Sequence, residues 1–232
     1  MRLSGDSEIQ QLISDTLAQR PYSHDQTVRD DVVAVITVES DMRFFPDTLA
    51  AVLRQSVLPS TIVIADCSGQ TLQSVQTSFK VIPTQADALH GVPQEHTVHV
   101  QVLKVAQARS FGDAVAKVLR NAQIDTAAKT LWLLHDDSRP ADPICLEQLL
   151  DTWTNTPTAA LIGCKQLDWD AVRLHDVGKY ASHHEVVSLV VDGEPDQEQY
   201  DSRSDMFAVS LAGALIPVNT WRSMHGLSLI HI

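Results

Sequence analysis

The sequence predicts an α/β domain built on a doubly wound, mainly parallel sheet. Three observations predict it. Short apolar runs rich in β-branched and aliphatic residues recur, VVAVITV at 32–38, TIVIA at 61–65 and LWLL at 131–134. Such runs are apolar on both faces, as buried parallel strands are. Segments with helical apolar spacing alternate with them, which is the pattern of crossover connections. Finally, acids stand at or just beyond the ends of two runs, Asp66 after the second and Asp136–Asp137 after the third. Ligands of such sheets bind outside the carboxyl ends of the strands.

Taken in order, Ile9, Leu12, Ile13 and Leu17 have helical spacing and predict a short amphipathic helix, with a linker over Arg20–Asp31. The division expected is residues 1–30 as helix and linker, 31–226 as the main domain, and 227–232 as a tail foreign to it. Residues 32–38 form the first strand. Phe45–Ser56 is a helix through Leu49, Val52 and Leu53, with Pro46 suited to its first turn. Thr61–Ala65 is the second strand, and Leu72–Phe79 reads as a helix. Val98–Val105 is a third strand, and Phe111–Ala122 a helix entered through Gly112. Leu131–Leu134 is the fourth strand, Ile144–Thr154 a helix and Ala159–Gly163 a fifth strand. Beyond Asp168 the pattern turns mixed and antiparallel. Val186–Val191 and Met206–Ile216 read as strands, and Gly193–Ser204 as a polar loop.

Composition removes several classes of function. With 17 basic and 29 acidic residues the net charge is -12, which argues against nucleic-acid binding, since that needs clustered Lys and Arg. Cys67, Cys145 and Cys164 are odd in number and widely spaced, so neither a zinc knuckle nor a disulfide framework is indicated. Reduced thiols point to a cytoplasmic location, or the inner face of a membrane reached through other segments. No apolar run is long enough to span a bilayer.

The most informative stretch is LWLLHDDSRP, residues 131–140. A strand delivering adjacent carboxylates to a sheet edge suits a hard divalent cation, which takes one or two protein carboxylates together with phosphate oxygens. The same residues also make an ordinary strand end and polar turn, with Asp137 or Ser138 as a cap.

In order along the chain, VVAVITV, LAAVLRQS, LPSTIVIADCSG, RSFGDAVAKVL, LWLLHDDSRP and SLAGALIPVNTW resemble the family 2 glycosyltransferases, inverting enzymes of the GT-A fold. The resemblance covers roughly residues 31–226. It implies a GT-A-like sheet with a mixed acceptor-side region, incomplete at the C-terminus. The implied reaction moves a sugar from a nucleoside-diphosphate sugar to a glycan or lipid-linked acceptor, with a role in cell-surface polysaccharide. Asp66 would meet the nucleobase, with Thr37, Val38 and Glu39 lining the same pocket. Asp136 would meet ribose or sugar and share a Mg2+ or Mn2+ ion with Asp137. Arg109 would contact a phosphate, or equally be a solvated surface arginine, and Gly112 would allow close backbone approach at a helix start or simply begin the helix. Ala212, Gly213 and Ala214 would leave room for an acceptor, although close strand packing asks for the same small residues. A general base is expected beyond Gly226, so this polypeptide would lack it.

One position departs from the family pattern. His135 stands where many relatives carry Asp, and it reads either as a ligand or as a partly buried histidine satisfied by backbone. LSLIHI, residues 227–232, reads like a translated sequencing-adapter end. Two other readings stay open. A sugar nucleotidyltransferase normally shows a glycine-rich basic loop after the first strand, where this chain has ESDMRFFPD. An inactive binding or scaffolding module is the other.

Overall fold

The structure is a computed structural model, and it describes residues 8–20, 26–69, 74–82, 95–105, 108–122, 128–181, 186–188, 193–202 and 205–224. Helix α1 (Glu8–Ala18) is followed by β1 (Thr27–Val38), α2 (Phe45–Leu53), β2 (Val57–Asp66), β3 (Val75–Val81) and β4 (His96–Lys104). Then come α3 (Phe111–Asn121), β5 (Thr130–His135), α4 (Cys145–Asn155), and the short β6 (Gln166–Leu167) and β7 (Leu174–Asp176). The described elements close with β8 (Lys179–Ala181), β9 (Val186–Ser188), β10 (Leu215–Pro217) and α5 (Val218–Ser223).

Six strands form the main sheet in the order β10-β5-β1-β2-β4-β3. The four central strands run parallel, and β10 and β3 pair antiparallel at the two edges. Helices cover both faces. Ile9 and Ile13 of α1, Leu49 and Leu53 of α2, and Leu146 and Leu149 of α4 pack with Ile36, Ile64, Trp132 and Leu134. On the other face, Val115 and Val118 of α3 and Trp221 of α5 pack with Val35, Val63 and Leu133. Each fully buried aliphatic side chain contributes about 1.5–3 kcal/mol through burial, so the two layers hold the sheet from both sides. The doubly wound, mainly parallel architecture is therefore the one the apolar runs predicted. Two small antiparallel pairs, β6 with β7 and β8 with β9, form the mixed region.

Three elements differ from the sequence reading. Residues 75–81 are an edge strand rather than part of a helix. VQTSFKV alternates along a half-exposed surface, and only Val81 is buried, so tertiary pairing with β4 decides its conformation. Residues 159–163 make no strand: Ile162 and Leu215 exchange backbone hydrogen bonds of 2.9 and 2.7 Å as an isolated bridge. The strand expected over Met206–Ile216 contracts to Leu215–Pro217, because Gly213 sits at φ +83 and turns the chain just before it. In addition, β1 begins at Thr27, within the expected linker, and α1 packs into the core beside it. Residues 189–191, 203–204 and 225–232, which carry parts of the expected strand, loop and tail, lie outside the described residues.

Candidate functional site

The carboxyl ends of β5, β1 and β2 lie side by side, because Thr37 pairs with His135 and Val38 pairs with Asp66. Strand spacing puts the ends of β5 and β2 about 10 Å apart. The backbone beyond these ends is stitched across the gaps. Cys67 N–H donates to the Val38 carbonyl at 2.8 Å, and Glu39 N–H donates to Asp136 Oδ2 at 2.9 Å. Thus residues 37–39, Asp66 and Asp136, widely separated in sequence, meet at one edge of the sheet.

Their side chains are used differently. Asp66 is fully buried and accepts hydrogen bonds from the backbone N–H and hydroxyl of Ser68. Thr37 is 2% exposed, and its hydroxyl has no hydrogen-bond partner among the described residues. A buried hydroxyl without a protein partner is uncommon, and it leaves Thr37 able to bond a water or a bound group. Glu39 is exposed, with Oε1 3.6 Å from His135 Nε2.

The turn after β5 holds three adjoining ligand atoms. His135, Asp136 and Asp137 each offer one atom, and these lie within 4.8 Å of one another. His135 Nδ1 is 2.8 Å from both Asp136 Oδ1 and Asp137 Oδ1. The hydrogen bond to Asp136, helped by the charges of both carboxylates, raises the His135 pKa to about 9 despite its burial. This favours the protonated imidazole at neutral pH, with Nδ1 directed at both acids. An imidazole and two carboxylates, clustered and only partly enclosed, suit a divalent ion of borderline hardness. Asp136 is 4% exposed and already held by Glu39, whereas the Asp137 side chain is 58% exposed and open to a ligand.

Buried groups from other elements fix this turn. The Thr48 hydroxyl of α2 donates to the Asp136 carbonyl at 2.7 Å. Gln55, 1% exposed, donates to the Asp142 carbonyl at 2.7 Å and accepts from Leu146 N–H at 2.9 Å, in the first turn of α4. Ser56 N–H also donates to the Pro143 carbonyl at 2.6 Å. Sequence reading passed over Thr48 and Gln55. Both lie in a helix or at its end, where a polar residue within an apolar pattern reads as exposed, and neither carries a motif.

On the β5–β10 side of the turn lies a cavity of about 590 Å³. His135 and Asp137 line it, facing Trp169, Lys165, Ala212 and Gly213. Phe111, the first residue of α3, also lines it, with its ring centroid 6.1 Å from that of His135. Gly112 follows it, buried, and Arg109 precedes it with an exposed side chain. The α3 start is fixed by Ser110, whose hydroxyl caps Asp113 N–H, while Asp113 accepts the Arg109 N–H at 3.0 Å. Gly112 is therefore inside the helix rather than its entry. Of the three small residues, Ala212 and Gly213 face the cavity; Ala214 is fully buried, and its carbonyl accepts Leu133 N–H at 2.8 Å. Asp66 and Asp136 do not line the cavity.

Residues 131–232 match the family model for glycosyl transferase family group 2. The match begins at β5 and takes in the His135–Asp137 turn, the cavity wall and β10, somewhat under half of the chain. Over that segment the resemblance read from the sequence is borne out. No curated protein matches the chain. Among solved structures, a mannosyltransferase, PcManGT from Pyrobaculum calidifontis in complex with GDP-Man and Mn2+, is similar at 13% identity and a TM-score of 0.37. The similarity covers 66% of this chain and 41% of that one, so this chain spans less than half the length of that relative. No described helix is long and apolar enough to cross a membrane.

Proposed function

We propose that this chain carries the donor-binding part of a metal-dependent, inverting glycosyltransferase acting from a nucleoside-diphosphate sugar. One observation carries the reading: the His135–Asp136–Asp137 cluster opens onto a cavity of about 590 Å³, within a segment matching the family 2 model. The nucleoside lies over the ends of β1 and β2, where Thr37 and Asp66 offer polar contacts, and the transferred sugar enters the cavity beside β5.

Asp137 and His135 would hold Mg2+ or Mn2+, which when bound stabilises charge on the departing diphosphate. Asp136 orients the cluster through Glu39 N–H and His135. Arg109 and Gly112, at the start of α3, border the path of the phosphates. Ala212 and Gly213 leave the cavity wall low on the acceptor side. The acceptor proposed is a glycan or a lipid-linked saccharide of a cell-surface polysaccharide, and the proposed location is cytoplasmic.

The test is thermal shift with GDP and with UDP, each with Mn2+ or with chelator. Stabilisation grows with the logarithm of ligand concentration above Kd, so a site of this kind gives a Mn2+-dependent rise. Asp137→Ala is expected to abolish that rise. A nucleotide-independent melting temperature in the unaltered chain rejects the donor site.

A further inference from the structure

Among the described residues, the cavity beside β5 is lined by one arginine, Arg139, that is exposed and has no carboxylate partner. Two permanently charged cations line it, Arg139 and Lys165. Lys165 is taken up by Asp196 and Asp201, each at 2.8 Å. The Arg139 guanidinium has no carboxylate partner among the described residues, although Asp137 and Asp168 border the same cavity. It is nonetheless held. Its Nη2 donates to the Trp169 carbonyl at 2.9 Å, and its Cζ lies over the Trp169 ring, 4.4 Å from the centroid. Trp169 is braced in turn by Phe44, with ring centroids 4.5 Å apart.

An unpaired guanidinium on a long stem normally sweeps a wide volume. Here aromatic contact and one backbone bond fix it, while its remaining N–H groups have no protein acceptor among the described residues. A fixed planar fork with spare donors is suited to two oxygens of one oxyanion. In a chain of net charge -12, a cation left without a counter-charge at a cavity marks a place for an anion supplied from outside.

We infer that Arg139, braced on Trp169, binds a phosphate or carboxylate group of the molecule occupying this cavity. The inference rests on the transferase reading for what that molecule is: either the donor diphosphate or an acceptor sugar bearing an acidic group. The residue is a specificity determinant, and its role is to bind rather than to react.

The experiment measures binding by calorimetry in chelator, so that it is independent of any metal-dependent nucleotide site. The probes are inorganic pyrophosphate, glucuronate and, as the neutral match, glucose. They are titrated into the unaltered chain, Arg139→Gln and Arg139→Lys. At least one anion is expected to bind, and Arg139→Gln to weaken it about tenfold or more, the scale of a lost charge-assisted hydrogen bond. Arg139→Lys should restore part of the loss. A loss confined to pyrophosphate assigns the site to the donor diphosphate; one confined to glucuronate assigns it to an acidic acceptor.

Anion affinities equal in the unaltered chain and Arg139→Gln overturn the inference, as does the absence of anion binding to the unaltered chain. A parallel loss of glucose binding overturns it too, since the cavity itself would then have changed. A lower melting temperature with unchanged anion binding makes Arg139 a clasp between the turn after β5 and the Trp169 segment. The transferase reading fails separately, through the Mn2+-dependent nucleotide shift.

Discussion

Gly213→Ala tests whether the small residues before β10 serve the fold as well as the cavity. Gly213 has φ +83, and a Cβ built on it would lie 2.5 Å from Cys164 Sγ. Two costs follow, and they are separable. Holding an L-residue in the left-handed region costs about 1–2 kcal/mol wherever it occurs. Forcing a methyl roughly 1 Å inside normal contact distance on a packed sulfur adds about 1–3 kcal/mol. Cys164→Ala removes the sulfur at a cost of roughly 1 kcal/mol for the small void left behind.

In the Cys164→Ala background Gly213→Ala should then retain only the backbone cost. The double variant is expected to be more stable than the sum of the two singles predicts, by about 1–3 kcal/mol. Urea unfolding followed by tryptophan fluorescence gives the four stabilities of the cycle. Effects that add within about 0.5 kcal/mol would refute the contact with Cys164. A fully stable Gly213→Ala would refute the positive φ as well. Small size at this position would then belong to the cavity alone.

Two further perturbations probe the site. Asp136→Asn should destabilise the fold by about 1–3 kcal/mol, because it disturbs a buried acceptor of Glu39 N–H and the partner of His135. Asp137→Asn, on an exposed side chain, should stay within about 0.5 kcal/mol, and denaturant midpoints that rank the pair the other way reject the division of roles. Burial pushes the Cys67 thiol up to about 11 and the Cys145 thiol up to about 12 from an ordinary 9.0, and raises Cys164 in the same direction. All three should react slowly with a thiol reagent at pH 8 and rapidly in urea. Since the folded chain holds these protons more tightly, the associated stability is complete below about pH 9 and is lost as pH rises toward 11–12; a melting temperature unchanged across that window contradicts the burial.

The central sheet was legible because its strands are buried on both faces, so VVAVITV and TIVIA have no polar alternation to mislead. Where burial is one-sided, the signal weakened. VQTSFKV at the β3 edge offers only Val81 to the core, and helical spacing through neighbouring residues fits it equally well. Ala159–Gly163 shows the complementary failure, an apolar run that meets β10 through a single bridge at Ile162 and Leu215. Local pattern specifies which residues are buried; it does not specify how many ladder bonds the partner strand has room to make.

The site was legible to the degree that chemistry was written into adjacent residues. His135, Asp136 and Asp137 form one turn, so their clustering follows from the chain itself, and a sheet with parallel strands brings Asp66 and Thr37 to the same edge. What sequence spacing cannot convey is direction. Asp136 and Asp137 both reach His135 Nδ1, yet Asp136 is buried and also accepts Glu39 N–H, while Asp137 stays exposed. The supports come from residues about 90 positions away, Thr48 and Gln55, whose polar atoms reach backbone groups of the 136–146 loop. Backbone acceptors leave no mark in a sequence, so such partners become visible only once the chain is folded. These bonds tie the turn to α2 and α4, and a cluster held in this way would spend little binding energy on ordering itself.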